Sequence, residues 1–437
     1  MIVVEAGPAR DAGPACATHQ LASWAGVQPD QLARLAAKEL ADNALDAAGA
    51  VTTGVLRRGP GLLTFFVADA GPGIAGGPAR IAGLFATGPG TAPPRPSKLP
   101  TRGMLGAGLR VVAEVVAAAG GTLRVSTNGE SIVLDPAVGA ARVLDRAPWD
   151  GAGTQVEVTL RDRAADETDA DALFAWADEA AELAAGVPYA GASSSWWYTA
   201  EEFRRRLAAA GDEPVGRFVE SLEGCRKGAK KAAGPDAGRA CAELDAADAA
   251  ALLSRLRAAA RPVNPTRLGR VGPRAGFQGY SFPRTGVHTR GRAVIPSVVE
   301  VWARRAERPG VQLYLNRTPV ASRLTVARDR THYVLFGAGL GSCLIEAGRP
   351  EAEYHLGVSL LTPSVEFLGS GKSPSLEAVR DKVVVACGKA LRAARKAAPS
   401  RCYLGCQHAT CPPAAVAGTP HTGPVETHRF AGERAPR

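Results

Sequence analysis

Residues 39–46 read Glu-Leu-Ala-Asp-Asn-Ala-Leu-Asp and lie within a segment, residues 30–48, whose leucines recur at helical spacing. On such a helix Glu39, Asn43 and Asp46 share one face, because they are four and three residues apart. Carboxylate and amide oxygens suit a hydrated Mg²⁺, and a carboxylate here could also orient an attacking water. A polar helix face with chance spacing explains these residues equally well, so two other segments must decide.

The first of these segments is the hexapeptide DAGPGI, residues 69–74, which follows the strand-like run GLLTFFVAD. An Asp at a strand end can accept a hydrogen bond from an exocyclic amine, while glycines turn the backbone closely around a base. Taken alone, an ordinary β-turn is the simpler interpretation. The candidate nucleotide contacts are Asp69, Gly71, Gly73 and Ile74.

The second segment is a glycine-rich turn, GMLGAGL, which opens a helical stretch ending at Gly120. Glycines let backbone N–H groups approach phosphate, and a helix N-terminus favours anions. No Gly-Lys-Ser/Thr follows, so the turn is not a Walker A motif. A tight loop without a ligand is the alternative. Its residues are Gly103, Met104, Leu105, Gly106, Ala107, Gly108 and Leu109.

In this order the three segments resemble the motifs of the GHKL ATPase superfamily, which includes gyrase, heat-shock chaperone, histidine kinase and MutL proteins. ELADNALDA is similar to its N box, DAGPGI to its first glycine box and GMLGAGL to its second. Gly153-Thr154, which enters the strand-like run TQVEVTL, resembles the late Gly-Thr element beside the adenine. The resemblance implies a Bergerat α/β sandwich that binds ATP and Mg²⁺.

The resemblance also implies roles for individual residues. Glu39 would activate water, Asn43 would hold Mg²⁺, and Asp69 would bind the adenine amine. The glycines of the second box would cradle phosphates, and residues 84–102 would form a lid over the ATP. The further nucleotide contacts would be Asp46, Thr154, Lys98 and Arg102.

The rest of the chain narrows the resemblance. GVQLYLNRTPV, residues 310–320, resembles the Asn-Arg-x-Pro strand of GHKL transducer domains, and residues 356–397 resemble the end of the transducer in the B-type subunit of topoisomerase VI. RPVNPTRLGRVGP, residues 261–273, resembles the exit of the helix–two-turns–helix insert in that same protein. In that family a transducer lysine reaches the γ-phosphate, and Lys372 in GSGKSPS is the candidate here. A solvated loop lysine is the alternative.

The expected fold class is therefore α/β (α+β): a Bergerat-type GHKL ATPase sandwich, a helical insert and a transducer-like α/β domain. The expected domains are residues 1–162 for ATP binding, 163–273 for the helical insert, 274–398 for the transducer and 399–437 for a flexible tail.

The implied function is that of an ATP-dependent clamp or gate. ATP would drive homodimerisation, and hydrolysis would serve passage of duplex DNA with a topoisomerase VI A-like partner that carries Toprim and winged-helix domains. Two alternatives remain open at this point. One is a stand-alone MutL- or MORC-like ATPase that clamps DNA without strand passage. The other is a degenerate scaffold whose nucleotide site only controls assembly.

Composition sets broader limits. The chain has 437 residues, of which 46% are hydrophobic and 22% charged, which predicts a globular protein of two or three domains. Its net charge of +10 permits a polyanionic partner. No apolar run approaches the ~18–20 residues of a membrane span, and the N-terminus lacks the pattern of a secretory signal. A cytoplasmic protein with no membrane partner is expected.

The C-terminal tail contains four soft ligands within ten residues. Such a group could hold Zn²⁺, but its spacing matches no standard zinc pattern and its surroundings are proline-rich. We therefore do not expect zinc. The four residues are Cys402, Cys406, His408 and Cys411.

Overall fold

The computed structural model describes most of the chain between residues 14 and 397. The described ranges are 14–87, 97–104, 106–138, 140–161, 165–166, 168–169, 171–225, 229–321, 324–329, 331–346, 353–368 and 373–397. Within this part of the chain, an α/β region comes first, a helical module follows, and a sheet-rich region ends the fold.

The N-terminal region is a six-stranded antiparallel sheet with helices packed against it. The strand order is β1-β2-β6-β3-β4-β5. The strands are β1 (Thr52–Gly59), β2 (Leu62–Asp69), β3 (Thr122–Thr127), β4 (Glu130–Asp135), β5 (Arg142–Pro148) and β6 (Thr154–Arg161). The helices are α1 (Pro14–Ala25), α2 (Leu32–Ala48), α3 (Gly77–Leu84) and α4 (Gly108–Ala118).

Small and alternating side chains explain how this region packs. Along β6, Val156, Val158 and Leu160 are buried while the residues between them are partly exposed, which is the period-2 pattern of a sheet with one covered face. Helix α2 presents alanines to the core, including the fully buried Ala36 and Ala37, so it lies close to the sheet. The helix that carries the polar motif is therefore held rigidly.

A helical module follows, and most of it has a core of its own. Its helices are α5 (Ala175–Ala184), α6 (Ala200–Ala210), α7 (Val215–Glu220), α8 (Ala229–Ala233) and α9 (Ala246–Ala259). Trp197, Tyr198 and Phe203 anchor that core, and each is fully buried. Helix α5 is different, because Ala177 belongs to the core of the first sheet and α5 packs against α2.

The last region is built on a five-stranded sheet of order β10-β9-β14-β8-β7. Strands β9 and β14 are parallel, and the other neighbours are antiparallel. The long helix α10 (Arg380–Ala397) covers β7 and β8. The strands are β7 (Gly279–Arg290), β8 (Ala293–Ala306), β9 (Gly310–Leu315), β10 (Thr318–Val320), β11 (Thr325–Asp329), β12 (His332–Phe336), β13 (Ser342–Glu346), β14 (Glu353–Leu361), β15 (Phe367–Leu368) and β16 (Ser373–Pro374).

The mixed α/β fold class expected from the sequence is confirmed. The predicted helix over residues 30–48 begins two residues later, at Leu32, after a short 3₁₀ turn, and the four antiparallel strands between residues 122 and 161 are present. Within the described residues, no helix combines the length and the apolar character needed to cross a membrane.

Candidate nucleotide-binding site

Helix α2 turns the predicted catalytic and metal-binding side chains toward one side. Asn43 Nδ2 donates a hydrogen bond to the Glu39 carbonyl oxygen at 2.9 Å, which fixes the amide. The Asn43 Oδ1 atom accepts no hydrogen bond from the part of the chain that the structure describes. The amide is therefore held in place with its oxygen available to a ligand.

The second glycine box lies directly against this pair. A Cβ placed on Gly108 would sit 2.6 Å from Glu39 Oε2, so a larger residue at this position would displace the Glu39 carboxylate. Gly106 has φ +68°, a conformation that favours glycine, and helix α4 begins after Ala107 without a side-chain cap. The first N–H groups of α4 therefore have no intrahelical acceptors, and they lie next to Glu39 and Asn43.

The first glycine box begins at the end of β2, in register with β6. Asp69 pairs with Thr154 across the sheet, and its Oδ1 atom accepts a hydrogen bond from the Gly71 amide at 2.7 Å. A Cβ on Gly153 would lie 1.9 Å from the Asp69 carbonyl oxygen. The predicted residues Asp69, Gly71 and Thr154 are thus brought together, and Asp69 Oδ2 has no partner among the described residues.

Two residues that the sequence analysis missed hold the rest of this box. The Ile74 amide donates to Thr127 Oγ1 at 2.9 Å, and Asn128 Nδ2 donates to the Ile74 carbonyl oxygen at 2.9 Å. A Cβ on Gly73 would collide with both side chains, at 2.8 Å and 2.3 Å. The Asn128-Gly129 pair between two strand-like runs is a hairpin signal, and it could have located this turn.

The end of the predicted lid is tied to the N-box helix. Asp46 accepts hydrogen bonds from Arg102 Nη1 at 3.2 Å and from the Gly103 amide at 3.3 Å. Asp46 therefore anchors the entry to the second glycine box in this structure. At the other end of the predicted lid Leu84 is exposed, but Phe85 and Thr87 are buried in the N-terminal region, so part of that segment belongs to the core.

Lys98, in the predicted lid, contacts the helical module. Its Nζ atom forms an ion pair with Glu202 at 2.7 Å and donates to the Trp197 carbonyl oxygen at 3.0 Å, both in the helical module. Burial lowers the pKa of Lys98 to about 8, against the opposing influence of Glu202. The structure thus pairs the Lys98 ammonium with Glu202, and a role for Lys98 as a phosphate contact stays a prediction.

Other predicted residues have different outcomes. Met104 packs toward the core of the last region, while Leu109 packs against the first. Lys372, Leu105 and the four tail residues proposed for zinc lie outside the described residues.

An adjacent face of α2, about 100° around the helix, carries a second polar group, Lys38 and Asp42, that the sequence analysis did not single out. Lys38 Nζ lies 2.8 Å from Glu39 Oε1 and 3.0 Å from Asp42 Oδ2. Thr318 Oγ1, from the last region, donates to the same Asp42 oxygen at 2.9 Å. Burial raises the pKa of Asp42 to about 6, with Lys38 opposing the shift. Burial alone would lower the pKa of Lys38, but the two carboxylates raise it above its ordinary value.

The donor set fits Mg²⁺ and a nucleoside triphosphate. An uncapped helix N-terminus suits phosphate, and the oxygen of Asn43 suits a cation that binds few protein ligands and keeps waters and phosphate oxygens. The closeness of Gly108 to Glu39 places the two groups at one site. Among the described residues, no cluster of three His, Cys, Asp or Glu side chains could hold a metal ion.

Comparison with protein families supports this interpretation. Residues 28–164 match the family of histidine kinase-, DNA gyrase B- and HSP90-like ATPases. This segment is a GHKL ATPase domain. It contains the N box, both glycine boxes and the Gly-Thr pair, and the family binds ATP with Mg²⁺.

Two further comparisons concern the whole chain. No curated protein matches it. Among solved structures, one described as the crystal structure of the N-terminal domain of a DNA repair protein is similar over 83% of this chain and 94% of its own. The sequence identity is 12% and the TM-score is 0.35.

Proposed function

We propose that this protein is the ATP-dependent, dimerising clamp component of a DNA-acting complex, similar to the B-type subunit of topoisomerase VI. It would bind and hydrolyse ATP and transmit domain closure to an A-type partner that cleaves duplex DNA. The GHKL domain carries the nucleotide part of this proposal. The contact between that domain and the last region carries the coupling part.

That contact is made by the turn between β9 and β10. Asn316 Nδ2 donates to the Thr101 carbonyl oxygen at 3.2 Å and contacts Met104 Sδ at 3.4 Å. The turn therefore contacts the residues just before the second glycine box and the start of the box itself. Asn316 is 1% exposed and is itself fixed by the Leu360 carbonyl and the Thr362 amide. A segment that would border the phosphates is therefore bonded to a strand turn of the transducer-like sheet.

The residues of the site suggest how hydrolysis would proceed. Mg²⁺, when bound, supplies positive charge to the phosphates and lowers the cost of charge that develops during transfer. The Asn43 oxygen would face the metal, and the N–H groups at the start of α4 would face the phosphates. Glu39 Oε2, beside Gly108, would accept the proton of the attacking water. Asp69 Oδ2 would accept the hydrogen bond from the adenine amine.

The helical module supports the topoisomerase VI-like form of the proposal. It lies in the chain between the ATPase domain and the transducer-like sheet, and most of it has its own core. A Glu202 carboxylate on this module pairs with both Lys98 and Arg290, so it contacts the lid segment and β7 together. A module bonded to both neighbours suits a protein that transmits closure.

The test combines turnover with assembly. Wild-type protein with Mg²⁺ and a non-hydrolysable ATP analogue should sediment as a dimer, and it should hydrolyse ATP. Glu39→Ala should still bind ATP but lose at least about a hundredfold in kcat, since general-base catalysis contributes about 10²–10⁴. Glu220→Ala, at an exposed carboxylate of the helical module, is the matched control.

The DNA part of the proposal needs its own measurement. Supercoiled plasmid should be relaxed only when ATP, this protein and a Toprim–winged-helix partner are all present. ATP-dependent retention on circular DNA without relaxation would replace strand passage by a stand-alone clamp. Wild-type turnover in Glu39→Ala, or a lasting monomer with the analogue, would refute the clamp proposal.

A further inference from the structure

The turn between β9 and β10 brings a hydroxyl group, that of Thr318, to the Lys38–Asp42 pair of α2. Asn316 and Arg317 have φ values of +50° and +71°, and the flanking residues Leu315 and Thr318 pair directly, which is the geometry of a two-residue type I′ hairpin. Arg317 donates to the carbonyl oxygens of Gly186 and Arg270 and is 5% exposed. The turn is therefore fixed, and Thr318 is delivered to one position.

Thr318 is one of two donors to the buried carboxylate of Asp42. Its hydroxyl is 2.9 Å from Asp42 Oδ2, and Lys38 Nζ is 3.0 Å from the same oxygen. Asp42 is 2% exposed, and its Oδ1 atom has no hydrogen-bond partner in the described part of the chain. A buried carboxylate is costly when its partners are lost, so Asp42 depends on these two donors.

Lys38 connects this carboxylate to the proposed catalytic base. Its ammonium lies between Asp42 and Glu39 Oε1, at 3.0 Å and 2.8 Å, and the residue is 9% exposed. The position of the Lys38 ammonium therefore depends on how strongly the Asp42 carboxylate attracts it relative to Glu39. If Asp42 loses the Thr318 donor, Lys38 is drawn toward Asp42 and its hold on Glu39 weakens.

We propose that Thr318 is a positioning residue that orients Glu39 through Asp42 and Lys38. The hairpin of the transducer-like sheet would thereby set the alignment of the water-activating carboxylate, and a shift of that hairpin would change turnover. The inference rests on the proposed role of Glu39. It adds a route by which the last region acts on hydrolysis through the face of α2 that carries Lys38 and Asp42.

The test measures ATP turnover and nucleotide affinity in the full-length protein. Thr318→Val removes the hydroxyl at nearly constant shape and should lower kcat about tenfold, while KM for ATP and Kd for ADP stay within about twofold. Thr318→Ser should restore turnover to within about twofold of wild type. Thr325→Val is the matched control, because the Thr325 hydroxyl contacts only a strand carbonyl on an exposed edge.

A double-mutant cycle with Asp42→Asn sharpens the result. If the route passes through Asp42, Thr318→Val should have little further effect on kcat in the Asp42→Asn background. Additive effects, wild-type turnover in Thr318→Val, or an equal loss in Thr325→Val would overturn the inference. If Thr318→Val loses its cooperative melt, Asp42→Asn and Thr318→Ser carry the test, and wild-type kcat in Asp42→Asn refutes the route.

Failure of this inference is distinguishable from failure of the proposed function. A wild-type ATPase that depends on Glu39 but ignores Thr318→Val refutes only the positioning role. Absence of ATP hydrolysis by the wild type, or full activity of Glu39→Ala, removes the proposed function and this inference with it.

Discussion

Helix α2 carries two polar pairs at the same i, i+4 spacing, and one pair faces a ligand site while the other is buried. Glu39 and Asn43 face the start of α4, where backbone N–H groups and glycines leave room for a ligand. Lys38 and Asp42 lie about 100° around the helix, are almost completely buried and meet Thr318. About 100° of rotation around the helix therefore separates a surface suited to a nucleotide from a surface in contact with the sheet of the last region.

This difference has an energetic consequence. Side chains that face a ligand site can be changed with small effects on folding, whereas a buried ion pair makes each member dependent on the other. Lys38 belongs to the buried pair and also contacts Glu39, so it joins the two surfaces. Substitutions on the two faces of α2 should consequently have different effects. Changes at Glu39 or Asn43 should alter ATP turnover, whereas changes at Asp42 should alter stability and the coupling to the last region.

The largest effect on stability is expected for Asp42→Ala. It leaves the buried Lys38 ammonium with Glu39 alone, and breaking a buried pair in this way costs about 3–5 kcal/mol. Asn43→Ala, one residue away on the ligand side, should lower the free energy of unfolding by about 1 kcal/mol or less. Urea unfolding of both variants measures the contrast. Equal losses would mean that the two sides of α2 do not differ as described.

The sequence could predict that Glu39 and Asn43 share one face of α2, and the reason is local. Glu39, Asn43 and the glycine boxes have the residue types and spacings that nucleotide and metal binding require. They can therefore be identified in the sequence without knowledge of the tertiary structure. Lys38 and Asp42 look the same in sequence as a solvated i, i+4 ion pair on any helix surface. Only the tertiary contact with Thr318, which lies 276 residues after Asp42 in the chain, shows that this face is buried.

Lys98 illustrates the same limit from the other direction. A lysine in a proline- and glycine-rich segment before a glycine box is a reasonable phosphate contact by sequence. Its partner Glu202 lies 104 residues away, on a helix whose capping box with Thr199 already fixes the carboxylate. Long-range pairing of this kind leaves no periodic signal, so the sequence could predict the segment but not its partner.

The next prediction concerns the other proposed link between the last region and the nucleotide. Lys372→Ala should leave ADP affinity near the wild-type value and lower ATP turnover at least about tenfold, corresponding to ~1.4 kcal/mol, because its ammonium would meet only the γ-phosphate. Lys389→Ala, at an exposed position of α10, is the control. Isothermal calorimetry and a turnover assay give the two numbers.

The combination of Lys372→Ala with Thr318→Val sharpens the comparison. The two residues would act on different groups, Lys372 on the γ-phosphate and Thr318 on Glu39, so their effects on kcat should be close to additive. Normal hydrolysis by Lys372→Ala would leave the hairpin as the remaining proposed link. A strong deviation from additivity would instead place both residues on one route.

The smallest effect is expected where the helical module meets the lid segment. Burial opposes ionisation of Glu202, but its contacts with Lys98 and Arg290 and its capping bond to Thr199 lower its pKa from the ordinary 4.5 to about 2. The folded protein therefore holds this carboxylate ionised at pH values where the unfolded chain is protonated. The resulting stabilisation is complete above about pH 4.5 and is lost as the pH falls toward 2.

Glu202→Gln tests this pH dependence, because glutamine keeps an oxygen for the Thr199 cap and removes only the charge. At pH 7 the variant should be less stable by about 1 kcal/mol, a value reduced from the full shift because the pair is partly solvated. The difference should shrink between pH 4.5 and pH 3. Glu220→Gln, an exposed carboxylate on the same module, should show no such convergence. A constant deficit at all pH values would mean that Glu202 stabilises the module by packing, and that the contact with Lys98 contributes no charge-dependent stability.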